Sequence, residues 1–442
     1  MKQYDSYKDS GVEWIGKIPS HWEVGRLKFT GSFDNGLTYS PNDITDESGI
    51  LVLRSSNIQQ SKLDFNDCVY VREAPRELLV DVGDIIICSR NGSANLVGKC
   101  AYVYTQIKAT YGAFMMRFKP LIDNRFAFYL FKTTTDYYKG LFSTTTINQL
   151  TQGIISQMYI PSVPDLEQEI IASYLDKKCG EIDKAIATQE KRVELLKELR
   201  QNIITQAVTR GINPNAPLKD SGVEWIGEVP EHWKVCRIKN ILKQGADSIK
   251  IGPFGSSLTG KVGADLEYKV YGQWNIVGAD FNAGTNTVNK ETFEELSKSY
   301  KVISGDILVS MMGTIGKCAV IPEGIQEGIM DSHVVKIRLN DSIMIGSYFE
   351  YIYDKDKSNV IFNQLQKMKG GSIMDGLNST IIKSLTILVP PLSEQQEIVS
   401  YIESQTARLD KSIEKAEHQI ELLQELKQSI ITEVVTGKRK VV

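Results

Sequence analysis

Apolar or small residues recur at helical spacing through residues 182–207: Ile182, Ile186, Val193, Leu196, Ile203 and Ala207, with Gln189 and Arg200 in two polar places. The steps alternate between four and three, which is the heptad seam of a helix packed on another helix. The pattern returns near the end of the chain as Leu409, Ile413, Ala416, Ile420, Leu423, Lys427, Ile430 and Val434. Lys427 there takes the place of Arg200. A further pair, Leu195 and Leu199, returns as Leu422 and Leu426, and Glu194, Lys197 and Glu198 keep the outer face wet. The pattern predicts one long helix over 164–211 and a second over 392–442 with its tail. Two such helices most simply bury their seams against each other. Two separate amphipathic helices, each covering its own domain, are the other arrangement the pattern allows.

Ahead of each helix the periodicity changes to short β-type runs bounded by Gly, Asn, Asp and Pro. DVGDIIICSRNGSANLVGKCAYV (81–103) reads strand, turn, strand, and ISGDILVSMMGTIGKCAVI (303–321) has the same plan. A polar stretch and an Ile-rich run into proline close each segment, at 144–164 and 370–391. The repeat extends upstream. DSGVEWIGKIPSHWEVGRLK (9–28) matches DSGVEWIGEVPEHWKVCRIK (220–239), pairing Trp14 with Trp225 and Trp22 with Trp233. The tryptophans could form a ligand cage, but anchoring the base of each helix is the preferred reading. The chain is therefore two tandem copies of one unit, with globular parts (29–163 and 240–391) that repeat less cleanly than the frame. Four segments follow: 1–163, the helix 164–211, 212–391 with the linker and repeated Trp motif, and 392–442. Gly211, Pro214 and Pro217 stop the first helix, and Gly437 stops the second. The final Lys438, Arg439 and Lys440 are expected to form a frayed, solvated tail, with phosphate contact the alternative.

With 442 residues the chain can hold two or three domains. Its 51 basic and 54 acidic residues nearly cancel, so a nucleic-acid role must stand without a basic excess. Six scattered cysteines, Cys68, Cys88, Cys100, Cys179, Cys236 and Cys318, suit a reducing cytoplasm and suggest no thiolate metal site. The opening MKQYDSYKDS is polar and no apolar run reaches membrane-spanning length, so no membrane association is expected.

The candidate catalytic motifs are incomplete. GSSLTGKV (255–262) approaches a phosphate-binding loop but has Val262 where Ser or Thr should hold Mg²⁺. Pro164-Asp165 with Asp176-Lys177-Lys178 loosely matches a nuclease pattern, but on a helix, where the carboxylates would not converge at a sheet end. No adenosyl-cofactor loop, no amino-methylation tetrapeptide and no nucleophilic His or Cys context is present.

The repeated DSGVEWIG…P.HW motif resembles the specificity subunit of Type I restriction–modification systems. So do PPLSEQQEIV (390–399), IPSVPDLEQEII (160–171), the GD-strand-Gly-GK core and KIGPFGSSL (250–258). The likeness covers essentially the whole chain, doubled as the family is doubled. The first copy departs from it at PDLEQEII, which lacks the fuller spelling of the second helix start. The resemblance implies an α+β fold: two β-rich mixed target-recognition domains joined by two long helices in an antiparallel coiled coil, an internal tandem repeat with pseudo-two-fold symmetry. It implies double-stranded DNA as ligand, with each domain reading half of a split site. It also implies no catalysis in this chain, two modification (methyltransferase) subunits using S-adenosylmethionine, and two restriction subunits using ATP and Mg²⁺. Alternatives are a specificity protein of another methylation-based defence system, and a coiled-coil scaffold with two protein-binding domains.

A helix from Ile182 to Ala207 spans roughly 40 Å at 1.5 Å per residue, and a turn of B-DNA spans about 34–36 Å. The helices can thus act as a ruler between two half-sites. Base-edge reading calls for Arg, Lys, Asn and Gln. In the first domain these are Arg90, Asn91, Asn95, Lys99, Asn148 and Gln149; for Asn148 a turn-stabilising role is the alternative. The second domain has Met311 and Met312 where Arg90 and Asn91 stand; its candidates are Lys317, Gln364, Gln366, Lys367 and Lys369. For every one of them an ordinary solvated surface role is the competing reading.

Overall fold

Each repeat opens on a short antiparallel strand pair, Tyr7–Asp9 with Lys17–Pro19 and Leu218–Asp220 with Glu228–Pro230. The identical DSGV sequences build identical turns. Asp9 accepts from the Gly11 amide at 2.8 Å and Asp220 from the Gly222 amide at 2.9 Å. Both glycines stand at φ 70°, where a side chain would be strained. The computed structural model describes residues 3–141, 148–245, 247–264, 266–368 and 377–441. The candidate Lys369 lies outside them.

The chain divides into two units, Met1–Glu190 with His418–Val442, and Lys191–Glu417. The division passes inside both long helices, Asp165–Arg210 and Leu392–Val435, whereas the four sequence segments break at the helix ends. The first unit contains an antiparallel sheet in the order Cys100–Tyr102, Ile85–Cys88, Met115–Pro120, Gly31–Asn35. Its second sheet carries the parallel pair Ala109–Tyr111 with Ile50–Leu53. The second unit repeats the plan: Cys318–Val320, Ile307–Ser310, Val334–Ile337 and Ile249–Ile251, then the parallel pair Gly328–Met330 with Tyr268–Tyr271. The strands Ile85–Cys88 and Ile307–Ser310 are buried throughout, which is why they read as unbroken apolar runs.

The globular parts repeat more closely than their sequences suggest, because the shared residues are buried polar groups that hold backbone. Asn57 and Asn275 are both fully buried. Asn57 donates to the Asp64 and Asp67 carbonyls at 3.0 and 2.9 Å; Asn275 donates to the Asp280 and Ala283 carbonyls at 2.8 and 2.9 Å. The GD turns match as well: Asp84 accepts from the Asp81 amide at 2.8 Å, and Asp306 from the Ile303 amide at 3.0 Å. Burial pushes the Asp84 carboxyl up despite the nearby Arg117. A buried cation faces this turn in each unit. Arg117 donates to the Leu79 carbonyl and to Asp34, both at 2.9 Å. Lys336 donates to the Lys301 carbonyl at 2.9 Å. Burial, with Arg338 beside it, pulls the Lys336 ammonium down, against the pull of Asp247 and Asp306.

The helix starts also agree, although their spellings differ. Gln168 donates to the Val163 carbonyl at 2.7 Å, and Gln395 to the Pro390 carbonyl at 2.9 Å. One residue earlier stands Glu167 or Glu394, an acid in the first helical turn, where the helix dipole favours it. His21 contacts Glu167 at 2.6 Å, and His232 contacts Glu394 at 2.7 Å. Trp22 donates to Glu167 at 3.0 Å, and both Trp22 and Trp233 are buried. Gly437, ending the second helix at φ 74°, packs so closely on Trp22 and Pro19 that a Cβ would come within 2.3 Å of Pro19. Gly211, ending the first helix, packs on Trp233 in the same way. Trp14 donates to the Tyr159 carbonyl at 3.2 Å and stacks on Tyr137; Trp225 is half-buried beneath Lys367. All four tryptophans therefore pack against protein groups.

The expected frayed tail is instead docked. Arg439 pairs with Glu433 at 2.7 Å, and Lys440 lies over the Tyr4 ring and 3.7 Å from Asp5. Tyr4 and Asp5 flank the first strand pair, so the sequence motif at one terminus supplies the ligands for the other.

Of the seam residues, Ile182, Ile186, Val193, Ile413 and Ile430 are buried, and Leu196, Ile203, Leu409, Ile420 and Leu423 are half-buried. Two of the polar places, Lys427 and Arg200, form ion pairs inside their units. Lys427 meets Asp183 at 2.6 Å in the first unit; Arg200 meets Asp410 at 2.7 Å in the second. Leu195, Leu199, Leu422 and Leu426 are exposed.

Asn57→Ala and Asn275→Ala each remove a buried amide that ties two backbone carbonyls. Each is expected to destabilise its own unit by about 2 kcal/mol or more, read from the urea midpoint of unfolding.

Candidate nucleic-acid interface

Four backbone segments of the first unit converge on one cleft of about 1030 Å³. Its walls come from the loop after Gly31–Asn35, the turn before Asn57, the end of Ile85–Cys88, and the turn after Ala109–Tyr111. Tyr39, Arg54, Ser55, Arg90, Asn91 and Phe114 line it. Gly36 is obligatory here, since a Cβ would meet the Gly112 carbonyl oxygen at 2.1 Å.

Chain segments far apart in sequence supply the polar groups. Arg90–Asn91 pairs with Asn148–Gln149 as a two-stranded ribbon, Arg90 opposite Gln149 and Asn91 opposite Asn148. Asn148 donates to the Gly92 carbonyl at 3.1 Å, so it fastens the ribbon as the turn-stabilising reading required. Gln149 is exposed. The Arg90 guanidinium lies 5.4 Å from the Phe114 ring centroid, a cation–π contact that holds its plane without using its donors. Asn91 reaches Ser55 Oγ at 3.5 Å, and Lys99 donates to the Ser55 carbonyl at 3.2 Å. Asn95 is exposed on the neighbouring turn Ala94–Leu96. A guanidinium and two amides at the rim of one cleft can offer directed donors and acceptors to base edges.

The chain matches the family described as the Type I restriction modification DNA specificity domain, over residues 19–197 and 230–422. The chain belongs to this family. Among curated relatives, the Type I restriction enzyme EcoKI specificity subunit of Escherichia coli (strain K12) is 24% identical over 447 residues, covering 96% of this chain and 90% of that protein. The StySPI specificity subunit of Salmonella potsdam is 25% identical over 446 residues, with the same coverage. The fold resembles a chain solved in work on complex assembly and conformational transition of the type I R-M system. That match has a TM-score of 0.67 at 16% identity, covering 95% of this chain and 98% of the other.

The second unit of this specificity subunit repeats the hydrogen-bonded frame on which the cleft is built. The Gly112 amide donates to the Leu53 carbonyl, and the Asp331 amide to the Tyr271 carbonyl. The Ser89 amide donates to the Phe114 carbonyl, and the Met311 amide to the His333 carbonyl. Met311 thus stands at the place of Ser89, and Met312 at that of Arg90, one residue off the sequence expectation. Gly252 replaces Gly36, with the Asp331 carbonyl oxygen at 1.8 Å from a built Cβ. On this register Phe254, Gln273, Trp274, Met312, Thr314 and His333 stand at positions equivalent to the first unit's cleft segments. The reading of sequence alone missed Gln273. The repeated Asn-Ile of RSSNI (54–58) and GQWNI (272–276) would have aligned it with Ser55.

Two second-domain candidates are corrected. Gln364 is buried, with its amide clamped on the Thr386 backbone in both directions, at 2.7 and 2.8 Å. Lys317 is ion-paired with Asp356 and lies 3.5 Å from Asp354, its side chain only 13% exposed. The GK residue is held by acids of its own unit and is not open to a phosphate. Lys367 is exposed but pairs with Glu224 at 2.8 Å over Trp225. Gln366 is exposed.

Arg90→Ala is expected to change which random duplexes the protein retains without moving its melting temperature. Gln364→Ala is expected to do the reverse, since it strands buried backbone. Sequencing of retained duplexes beside a thermal melt separates the two.

Proposed function

We propose that this specificity subunit reads a bipartite, asymmetric site in double-stranded DNA and performs no chemistry itself. One observation carries the reading: both units build the same backbone frame on matching hydrogen bonds, yet carry different side chains at its equivalent positions. The first offers Arg54, Arg90 and Asn91; the second offers Gln273, Trp274 and His333. Equal frames with unequal linings suit two reading surfaces with different sequence preferences.

In this proposal the long helices pair as an antiparallel coiled coil related by the internal pseudo-two-fold, and the coil sets the gap between half-sites. The Asp183–Lys427 and Arg200–Asp410 pairs support it: the first joins the earlier half of the first helix to the later half of the second, and the other joins the later half of the first to the earlier half of the second, as antiparallel pairing requires. Two modification subunits would dock on the chain and supply adenine methylation with S-adenosylmethionine. Two restriction subunits would add ATP- and Mg²⁺-dependent cleavage. The relatives' names as Type I restriction enzyme subunits support these partners. No helix of the described residues is long and apolar enough to cross a membrane, and six unpaired cysteines suit the reducing cytoplasm.

Removing one heptad near Leu196 or Leu423 is expected to shorten the tolerated gap between half-sites, read by mapping methylated adenines. An unchanged gap overturns the ruler. Phosphate neutralisation supplies much of the affinity of DNA binders, and acids here outnumber bases, 54 to 51. The purified chain alone is therefore expected to bind DNA weakly at physiological salt. Nanomolar binding in a fluorescence-anisotropy titration contradicts that.

A further inference from the structure

The second unit contains a partly buried hydroxyl pair beside the amide of Gln273, the residue at the register position that Ser55 holds in the cleft of the first unit. Ser310, the last residue of its strand, is fully buried, and Thr314 lies four residues on in the turn. Their hydroxyl oxygens are 2.5 Å apart. The Ser310 hydroxyl donates to the side-chain oxygen of Gln273 in a short hydrogen bond, and the Thr314 hydroxyl, 3.2 Å from that oxygen, donates to Ser310. The Gln273 amide nitrogen has no hydrogen-bond partner among the described residues.

The donors fix which end of the amide faces outward. Each hydroxyl has one hydrogen to place: Thr314 gives its own to Ser310, and Ser310 gives its own to a lone pair of the amide oxygen. Turned over, the amide would present its own two hydrogens to the hydroxyls, and one hydroxyl hydrogen would lose its acceptor. Leaving a partly buried donor unsatisfied costs more than a hydrogen bond gains. Ser310 is anchored in turn, its amide donating to the Lys317 carbonyl at 3.0 Å. Gln273 also has little freedom to swing. It opens a short helix, Gln273–Gly278, whose preceding amide, that of Gly272, is held by the buried Asn275 at 3.0 Å. Next to it, the Trp274 ring covers Gly272 and Gly284 so tightly that a Cβ on either would fall within 2.5 Å of the ring.

We infer that Gln273 is a specificity-determining residue of the second domain, presenting only its NH₂ group to a base edge with two adjacent acceptors. The inference rests on the proposed reading of DNA by both units. A free Gln pairs with adenine by giving a hydrogen to N7 and accepting one from N6. Here the accepting oxygen is turned inward onto the two hydroxyls, so that pairing is closed. Guanine presents O6 and N7, two acceptors side by side in the major groove, and suits a donor-only amide. The equivalent place in the first domain is Ser55, whose carbonyl and hydroxyl are taken by Lys99 and Asn91. The same backbone position thus orients a neighbouring cation and amide in one domain and reads directly in the other.

The test uses the complex of this chain with its modification subunit, acting on genomic DNA with methylated adenines mapped by sequencing. The wild-type complex is expected to require guanine at one position of the half-site that Gln273 variants alter. Gln273→Ala is expected to relax that position, lowering methylation of the original site about tenfold while the other half-site stays unchanged. The double variant Ser310→Ala with Thr314→Val frees the amide oxygen and is expected to admit adenine beside guanine. A melting temperature measured on each variant, with the untouched half-site as internal control, separates misfolding from altered reading. The same motif at the same rate for Gln273→Ala overturns the assignment, as does a wild-type requirement for a donor-only base at the affected position. A wild-type complex with no two-part motif overturns the proposed function, and this assignment with it.

Discussion

Each long helix of this protein starts on a carboxylate held by the residues that precede it. Glu167 sits in the first turn of its helix, where unsatisfied amides make the field positive. It receives His21 and the Trp22 indole, with the Tyr4 hydroxyl at 3.3 Å. Glu394 receives His232 in the second copy. The buried tryptophan beside each carboxylate is the surface on which a helix-ending glycine lies, Gly437 on Trp22 and Gly211 on Trp233. One small cluster therefore fixes where a helix begins, where a helix stops, and how the strand pair ahead of them is seated. The repeated HW dipeptide and the repeated helix-ending glycine are two sides of one contact.

The same economy governs the recognition domains. What the two copies share lies below the surface: an asparagine that ties two carbonyls, an aspartate that closes the GD turn, and a cation packed against it. These groups are expensive to bury unpartnered, and each makes hydrogen bonds here, Arg117 through its two terminal nitrogens. The cations differ, Arg117 in one and Lys336 in the other, and so do their acceptors, yet both satisfy carbonyls of the segment before the GD turn. Such a frame tolerates large change in the loops it carries, because the loops contribute little to its hydrogen bonding. Function can then vary by replacing the lining of a cleft whose walls stay in register.

The linings follow different physics. In the first domain a guanidinium lies against a phenylalanine ring, and a two-stranded ribbon holds an amide at its side. In the second, aromatic and thioether groups, Phe254, Trp274 and Met312, are exposed around one amide fixed by two hydroxyls. Positive charge dominates one site; shape and a single oriented donor dominate the other.

The heptad seam, the doubled Trp motif, the glycine stops and the GD strands were all legible in the chain by itself, because each rests on local periodicity or on an obligatory backbone angle. So was the absence of a complete catalytic motif. Tertiary structure alone decided which polar residues are available. Gln364 and Lys317 look like reading groups in sequence, but Thr386 consumes one and Asp356 the other, partners that lie elsewhere along the chain. Arg90 and Gln149 are separated by most of a domain and meet only through strand pairing. The docked tail, Lys440 upon Tyr4, needed both termini in one place. Local chemistry names the residues able to make a hydrogen bond; only the fold determines whether a neighbour has already taken it.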